Sequence, residues 1–119
     1  MVLKRLKVVE FATYIAAPGA AGILGDWGAD VVKIERPGGD DMRHVFADAK
    51  SELGANPTFE MDNRGKRSVV LDISKPQGRE AVARLAGEAD IFLTNVRPPP
   101  LARAGLDEAR LRPANPRLI

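Results

Sequence analysis

The chain has no cysteine and only one histidine, His44. The missing cysteines exclude a disulfide scaffold, thiol catalysis and any cysteine-ligated zinc or iron–sulfur centre. The lone histidine excludes a multi-histidine metal cluster and a zincin motif, so no metal site is expected. Aromatic residues make up only 5% of the 119 residues, and none interleave with basic ones. A base-stacking platform for single strands is therefore not expected, and neither is a nucleic-acid partner. No apolar run approaches the ~20 residues that cross a bilayer, so no membrane span is expected. The first seven residues, MVLKRLK, carry charge with no apolar run behind them, which does not read as a signal peptide. The expectation is one domain in a cytoplasmic chain.

What is present is a near-average globular composition, 45% hydrophobic and 29% charged, with net charge +2. The charge is unevenly placed. Residues 1–60 hold 7 Lys/Arg against 9 Asp/Glu, and residues 61–119 hold 11 against 7. Arginine supplies 12 of the 18 basic residues. A mild positive bias in one half suits an anionic small molecule at least as well as a nucleic acid.

Hydrophobic patterning predicts strands over residues 6–12, 30–35, 67–73 and 90–94, each short, apolar or β-branched, and bounded by polar residues. Helices are predicted over 20–27, 58–63 and from 74 to about 88, with Ser74 as N-cap and Pro76 in the first turn. Residues 13–19 read as a turn, 37–57 as a long irregular connection, and 95–100 as a loop forced by three prolines. A helical turn over 101–105 closes on Gly105, and Asp107 caps another short helix that stops before Pro113. Strands alternating with helices predict an α/β domain with a mostly parallel sheet and flanking helices. Residues 115–119 read as a turn entering a further strand, so the expectation is an N-terminal piece of a longer protein.

Several motifs have both a chemical and a plain reading. Strand, glycine-rich turn, helix, strand and the terminal acid Glu35 follow one another as in a dinucleotide fold, where the acid binds a ribose hydroxyl. The glycines at 19, 22, 25 and 28 are spaced G-x-x-G, however, not G-x-G-x-x-G, which favours close helix–sheet packing. Arg36 follows the second strand, and Asn95, Arg97 and Arg103 follow the fourth. Ligands of open α/β sheets gather at such carboxyl strand ends, although Arg36 could equally pair with Glu35 or Asp40. Asn63-Arg64-Gly65-Lys66-Arg67 is a basic turn, either solvated or facing a phosphate. Asp40-Asp41 reads as a loop pair and His44 as exposed.

The order of segments resembles class III CoA-transferases, the group that includes carnitine and formate CoA-transferases, bile acid-inducible protein F and α-methylacyl-CoA racemase. The resemblance rests on VVEFATYIAAPGAAGILGDWGADVVKIERPGGDDMR (8–43), NRGKRSVVLDISKPQGREAVARL (63–85), ADIFLTNVRPPPLARAGL (89–106) and NPRLI (115–119). It implies the N-terminal part of a Rossmann-like large domain in an interlocked homodimer about three times longer per chain. It also implies coenzyme A and acyl-CoA as substrates, a carboxylic acid as co-substrate, and no tightly bound cofactor.

Position by position, the resemblance places Ile15 and Ala16 beside the thioester end of CoA and Arg36 after the second strand. It places Leu71, Asp72, Ile73 and Ser74 along the adenine. Asn95, Val96 and Arg97 fall in the segment after the fourth strand, and Arg103 on the phosphate side. The usual Arg-Pro-Gly is Arg97-Pro98-Pro99 here, with Pro100 beyond, which removes a donor and the freedom of glycine. The family's chemistry uses a downstream carboxylate, as nucleophile in the transferases or in a His–Asp pair in the racemase, so no catalytic residue is expected within these 119 residues. Three readings stand at this point: a CoA-binding enzyme part (transferase or racemase), a non-catalytic nucleotide-binding module of NAD type, and a truncated product without function.

Overall fold

In a computed structural model, residues 1–45 and 56–119 are described. The elements run β1 (Lys7–Phe11), α1 (Ala16–Asp26), β2 (Asp30–Glu35), a 3-10 turn (Asp41–Arg43), α2 (Pro57–Asn63), β3 (Arg67–Val70), α3 (Pro76–Gly87), β4 (Ile91–Thr94), α4 (Pro98–Arg103) and α5 (Glu108–Leu111). The four strands form one parallel sheet in the order β3-β2-β1-β4. The chain moves outward from β1 to β3, then crosses to the other side of β1 for β4. The strand order therefore reverses at β1 and β4, and ligands of doubly wound sheets bind outside the strand ends at such a point.

Alternation along the strands assigns the two faces. Val9 and Ile34 pack with Val82 and Ala86 of α3, Leu106, and Leu111 of α5. Val8 and Val31 face the opposite way and pack with Ala21 of α1 and Ala29. Both faces of the sheet are thus covered by helices, as parallel sheets require.

Sequence expectation and structure differ at element starts, and proline explains two of the differences. α1 begins at Ala16, not at residue 20, because Pro18 is its third residue. The first helical bond runs from Gly19 N–H to the Ile15 carbonyl at 2.7 Å, so the missing proline N–H costs nothing. The three prolines at 98–100 do not force a loop. They form the first turn of α4, where N–H groups have no intrahelical partner, and the first bond comes from Leu101 N–H to the Arg97 carbonyl at 3.2 Å.

β3 is shorter than expected and ends at Val70, with one further ladder bond from Leu71 N–H to the Glu35 carbonyl at 2.9 Å. Ser74 is not the N-cap of α3; Lys75 is. Asp72 takes the hydrogen-bonding role instead, accepting from Ser74 N–H at 3.0 Å and from the Ser74 hydroxyl at 2.6 Å. An aspartate that bonds the backbone two residues on makes a tight turn and ends the strand. Part of the expected irregular connection, residues 46–55, lies outside the described residues. Its flanks are tied by Asn56, whose amide donates to the carbonyls of Met42 at 2.7 Å and Val45 at 2.8 Å while its oxygen caps α2. At the far end, Ile119 N–H donates to the Asp90 carbonyl and the Phe92 N–H to the Ile119 carbonyl, which places residue 119 alongside β4.

Candidate functional site

The carboxyl ends of the strands share one rim. Asn95, just after β4, bonds across the switch point to Thr13, just after β1. Its Oδ1 accepts the Thr13 N–H at 3.2 Å and its Nδ2 donates to the Thr13 carbonyl at 2.6 Å. Next in the chain, Tyr14 has φ 67° and is half exposed, as is Ile15. The left-handed region is unusual for a bulky residue, and such conformations concentrate at functional sites. Ile15 is the N-cap of α1 and Ala16 its first residue, so both expected positions lie where helix N–H groups lack intrahelical acceptors.

A cavity of about 200 Å³ opens on this rim, lined by Phe11, Ala12, Thr13, Ile34, Glu35, Arg36, Gly39, Asp40, Leu71, Ile73 and Val96. It brings together Arg36, Leu71, Ile73 and Val96, which come from the ends of three different strands. Asn95 and Ile15 join through the Thr13 turn. Asp72 and Ser74 bond each other on the turn before α3, outside the cavity lining, and their mutual bonds hold the Asp72 carboxyl below its ordinary pKa. Arg97 caps α4 and Arg103 sits in its last turn; both are exposed and line neither this cavity nor the groove beside α5. That groove is larger, about 920 Å³, but is walled by Pro98, Pro113 and Pro116 and holds one arginine, Arg112, already paired with Glu108 at 3.2 Å.

Arg36 is exposed and pairs with Asp41, not with Glu35 or Asp40. Its Nε also points at the Gly39 carbonyl at 3.4 Å. An exposed pair of this kind is worth at most about 1 kcal/mol, so an incoming anion can displace Asp41. Glu35 is different. Arg43 donates to both its oxygens at 2.7 Å, the Ser68 hydroxyl donates at 2.6 Å and the Asp40 N–H at 2.9 Å. Arg43 in turn stacks 3.9 Å over the Phe59 ring. The Arg43 guanidinium is the main cause that holds the Glu35 carboxyl down at about 2, against the opposing effect of burial. This carboxylate is fully engaged within the protein and offers nothing to a ribose hydroxyl. The dinucleotide reading loses its acid.

The basic turn 63–67 lies before β3, at its amino end, and its charges are engaged within the fold. Arg64 pairs with Asp26, Arg67 pairs with Asp30 at 2.6 Å, and the Lys66 ammonium is buried. Its two arginines face aspartates of α1 and β2 at the end of the sheet opposite the rim. His44 is exposed, with Nε2 3.0 Å from the Gly38 carbonyl. Among the described residues, no group of three or more His, Asp or Glu side chains could hold a metal, and no helix is long and apolar enough to cross a membrane.

Sequence reasoning missed the buried charges under the rim. Glu10 and Lys33 pair in register on β1 and β2, and Lys33 reaches Asp40 at 2.8 Å while Lys66 reaches Glu10 at 2.7 Å. A charge between apolar neighbours in each strand, Glu10 in V-V-E-F and Lys33 in V-V-K-I, was the available signal.

The family model for CoA-transferase family III matches residues 3–119. Among curated proteins, the chain is 41% identical to (R)-2-hydroxy-4-methylpentanoate CoA-transferase of Clostridioides difficile, over 100% of this chain and 30% of the relative. It is also 41% identical to succinate–glutarate CoA-transferase of Agrobacterium fabrum, over 98% of this chain and 30% of the relative. Among solved structures, a CAIB/BAIF family protein from Brucella suis superposes with TM-score 0.90 at 42% identity, covering 98% of this chain and 31% of that one. Rv3272 from M. tuberculosis superposes with TM-score 0.86 at 37% identity, with the same coverage. The chain thus spans about 30% of the length of the relatives it matches, and over that span it belongs to CoA-transferase family III.

Proposed function

We propose that this chain is the CoA-binding N-terminal part of an acyl-CoA transferase, which moves CoA between carboxylic acids. The observation that carries the reading is the rim cavity, where Arg36, Leu71, Ile73 and Val96 converge from the ends of three strands. At about 200 Å³ it is smaller than the roughly 300–1,000 Å³ that encloses a drug-sized ligand. It suits one ring-sized group of a long ligand whose remainder lies along the rim. In this reading the adenine lies against Leu71, Asp72, Ile73 and Ser74. Arg36, Arg97 and Arg103 attend the phosphates. The pantetheine arm runs past Asn95 and Val96 toward Ile15 and Ala16.

The relatives reported above are named CoA-transferases, which favours transfer over racemisation. Transfer in the family proceeds through an aspartyl mixed anhydride and an enzyme–CoA thioester, and in this reading that aspartate is not among these 119 residues. A CoA thioester and a carboxylic acid are the substrates, a second copy completes an interlocked homodimer, and the cytoplasm is the compartment. Neither a nucleic-acid partner nor a tightly bound cofactor belongs to this reading.

Isothermal calorimetry of the chain with CoA, dephospho-CoA and NAD tests it. The expected order is CoA first, dephospho-CoA weaker for lack of the 3′-phosphate, and NAD weakest. Equal affinity for CoA and dephospho-CoA removes the phosphate argument, and tighter binding of NAD replaces the reading with a nucleotide module.

A further inference from the structure

Four charged side chains lie in a row beneath the rim, on the sheet face covered by α1 and α2. Lys66 contacts Glu10 at 2.7 Å, Glu10 contacts Lys33 at 2.7 Å, and Lys33 contacts Asp40 at 2.8 Å, with every side chain at most 2% exposed. At Glu10 Oε2 and Asp40 Oδ2 the contact is Coulombic, without the alignment of a hydrogen bond. Burying such a row is costly, and apolar side chains would hold the same face together at least as well. The spare donors show what the row does instead. Lys33 Nζ donates to the Ala12 carbonyl at 3.2 Å, and Lys66 Nζ donates to the Pro18 carbonyl at 2.8 Å and to Asn63 Oδ1 at 3.0 Å.

Ala12 and Pro18 bracket the turn that carries Tyr14, Ile15 and Ala16. Asn95 grips the same turn at Thr13. A bulky residue at φ 67° persists only where its surroundings fix it from several sides. Here the fixing points are the two ammonium groups and the Asn95 amide. At the other end of the row, Asp40 Oδ1 accepts the Met42 N–H and its own N–H donates to Glu35, so the loop that carries Arg36 is tied to the same charges.

We propose that Lys66 is a positioning residue of the CoA-binding rim, whose buried ammonium holds the turn between β1 and α1 in the conformation that presents Ile15 and Ala16 to the ligand. The inference rests on the CoA-binding reading. It separates Lys66, which acts on the thioester end, from Asp40, which acts on the loop of Arg36.

Lys66→Met in the 119-residue chain tests it by two measurements. In calorimetry, CoA affinity falls by about tenfold or more, the scale of one lost charged hydrogen bond, while affinity for adenosine 3′,5′-bisphosphate changes by less than about twofold. In hydrogen exchange without ligand, the hydrogen-bonded amides at the two ends of this turn, Thr13 and Gly19, open about tenfold faster while those of β1 and β2 are unchanged. A merely structural role weakens both ligands by the same factor, or raises exchange across the whole sheet, and either result overturns the proposal. If Lys66→Met does not fold, Lys66→Gln, which keeps an N–H for one carbonyl, gives the same two comparisons. If the unaltered chain binds neither CoA nor the bisphosphate, the CoA reading fails, and the exchange measurement alone still decides whether Lys66 holds the turn.

Discussion

Gly78 lies so close to Asp72 that a Cβ at position 78 would stand 2.0 Å from the Asp72 carbonyl oxygen. The obstacle is backbone, which cannot swing aside as a side-chain tip can. The first turn of α3 is therefore pressed against the turn that carries Leu71, Asp72, Ile73 and Ser74. Gly78→Ala must shift one or the other. Thermal melts should show a loss of about 2–3 kcal/mol, at the upper end of overpacking costs. CoA affinity should fall with it, because Leu71 and Ile73 line the rim cavity. A Gly78→Ala chain as stable as the original contradicts this packing.

The strands and their parallel direction were legible because each is a short apolar run between breakers, and because intervening helices force parallel pairing; the order β3-β2-β1-β4 was not. β2 matches its expected range, residues 30–35, at both ends. Helix starts were less legible. From sequence, residues 13–19, which include Pro18, read as a turn and 95–100 as a loop, whereas in the first turn of a helix proline removes only N–H groups that have no partner. The resemblance names Arg36, Leu71, Ile73 and Val96 as CoA contacts, and the structure shows these four lining one cavity. The buried row of Glu10, Lys33, Asp40 and Lys66 was not. Its members lie up to 56 positions apart in the sequence, and only the strand register and the packing of α1 bring them together. From sequence, Asp40 reads as one of a loop pair or as a partner for Arg36, because nothing in the chain order sets Lys33 beside it.

Asn95 replaces a backbone ladder between the two segments that leave β1 and β4. Asn95→Ala strands both the N–H and the carbonyl of Thr13, and Asn95→Asp keeps the acceptor but sets a carboxylate against that carbonyl. Each should destabilise the chain by about 0.5–1.5 kcal/mol, because the two bonds are exposed and water replaces the lost partner. Denaturant titration checks this, with the midpoint expected to fall and the slope to stay constant. An unchanged midpoint for both variants shows that the bond across the switch point is dispensable.

Arg36 and Asp41 form an exposed pair, which in the proposed CoA reading a ligand phosphate has to displace. Arg36→Ala should weaken CoA binding by about 1.5–3 kcal/mol, the range for a hydrogen bond to a charged group. Asp41→Asn should act in the opposite direction, strengthening CoA by about twofold to fivefold, since an exposed pair holds the arginine by less than about 1 kcal/mol. Opposite signs in calorimetry are the signature of competition. The same sign for both variants would mean that the pair supports the loop and does not meet the phosphate.

Glu35 makes stability depend on acid. Its folded-state pKa, about 2, lies below the ordinary value of 4.5, so the fold favours the ionised form. That contribution is complete above about pH 5 and is lost as pH falls toward about 2. Discounted for solvent screening at the partly exposed Arg43, it amounts to about 2 kcal/mol. Melting temperature should therefore drop through this window. In Glu35→Gln, where the site does not titrate, the drop should be shallower from a lower starting point. Identical slopes in the two proteins would assign the acid sensitivity elsewhere.

The chain by itself should not transfer an acyl group. Transfer needs a carboxylate within about 3–3.5 Å of the thioester carbonyl, free to attack, and donors for the developing oxyanion. The described carboxylates around the rim are all engaged. Glu10 and Asp40 are buried against lysines. Glu35 is held by Arg43 and Ser68. Asp41 pairs with Arg36, and Asp72 is turned onto Ser74 at the adenine end of the expected ligand, remote from its thiol. N–H groups without intrahelical acceptors are present at the start of α1, but no described carboxylate at the rim is free to attack. Incubation of the chain with an acyl-CoA and labelled CoA should give no exchange above the uncatalysed rate. Exchange that disappears in Asp41→Asn would identify Asp41, the most accessible of these groups, as a nucleophile and would place the chemistry within these residues.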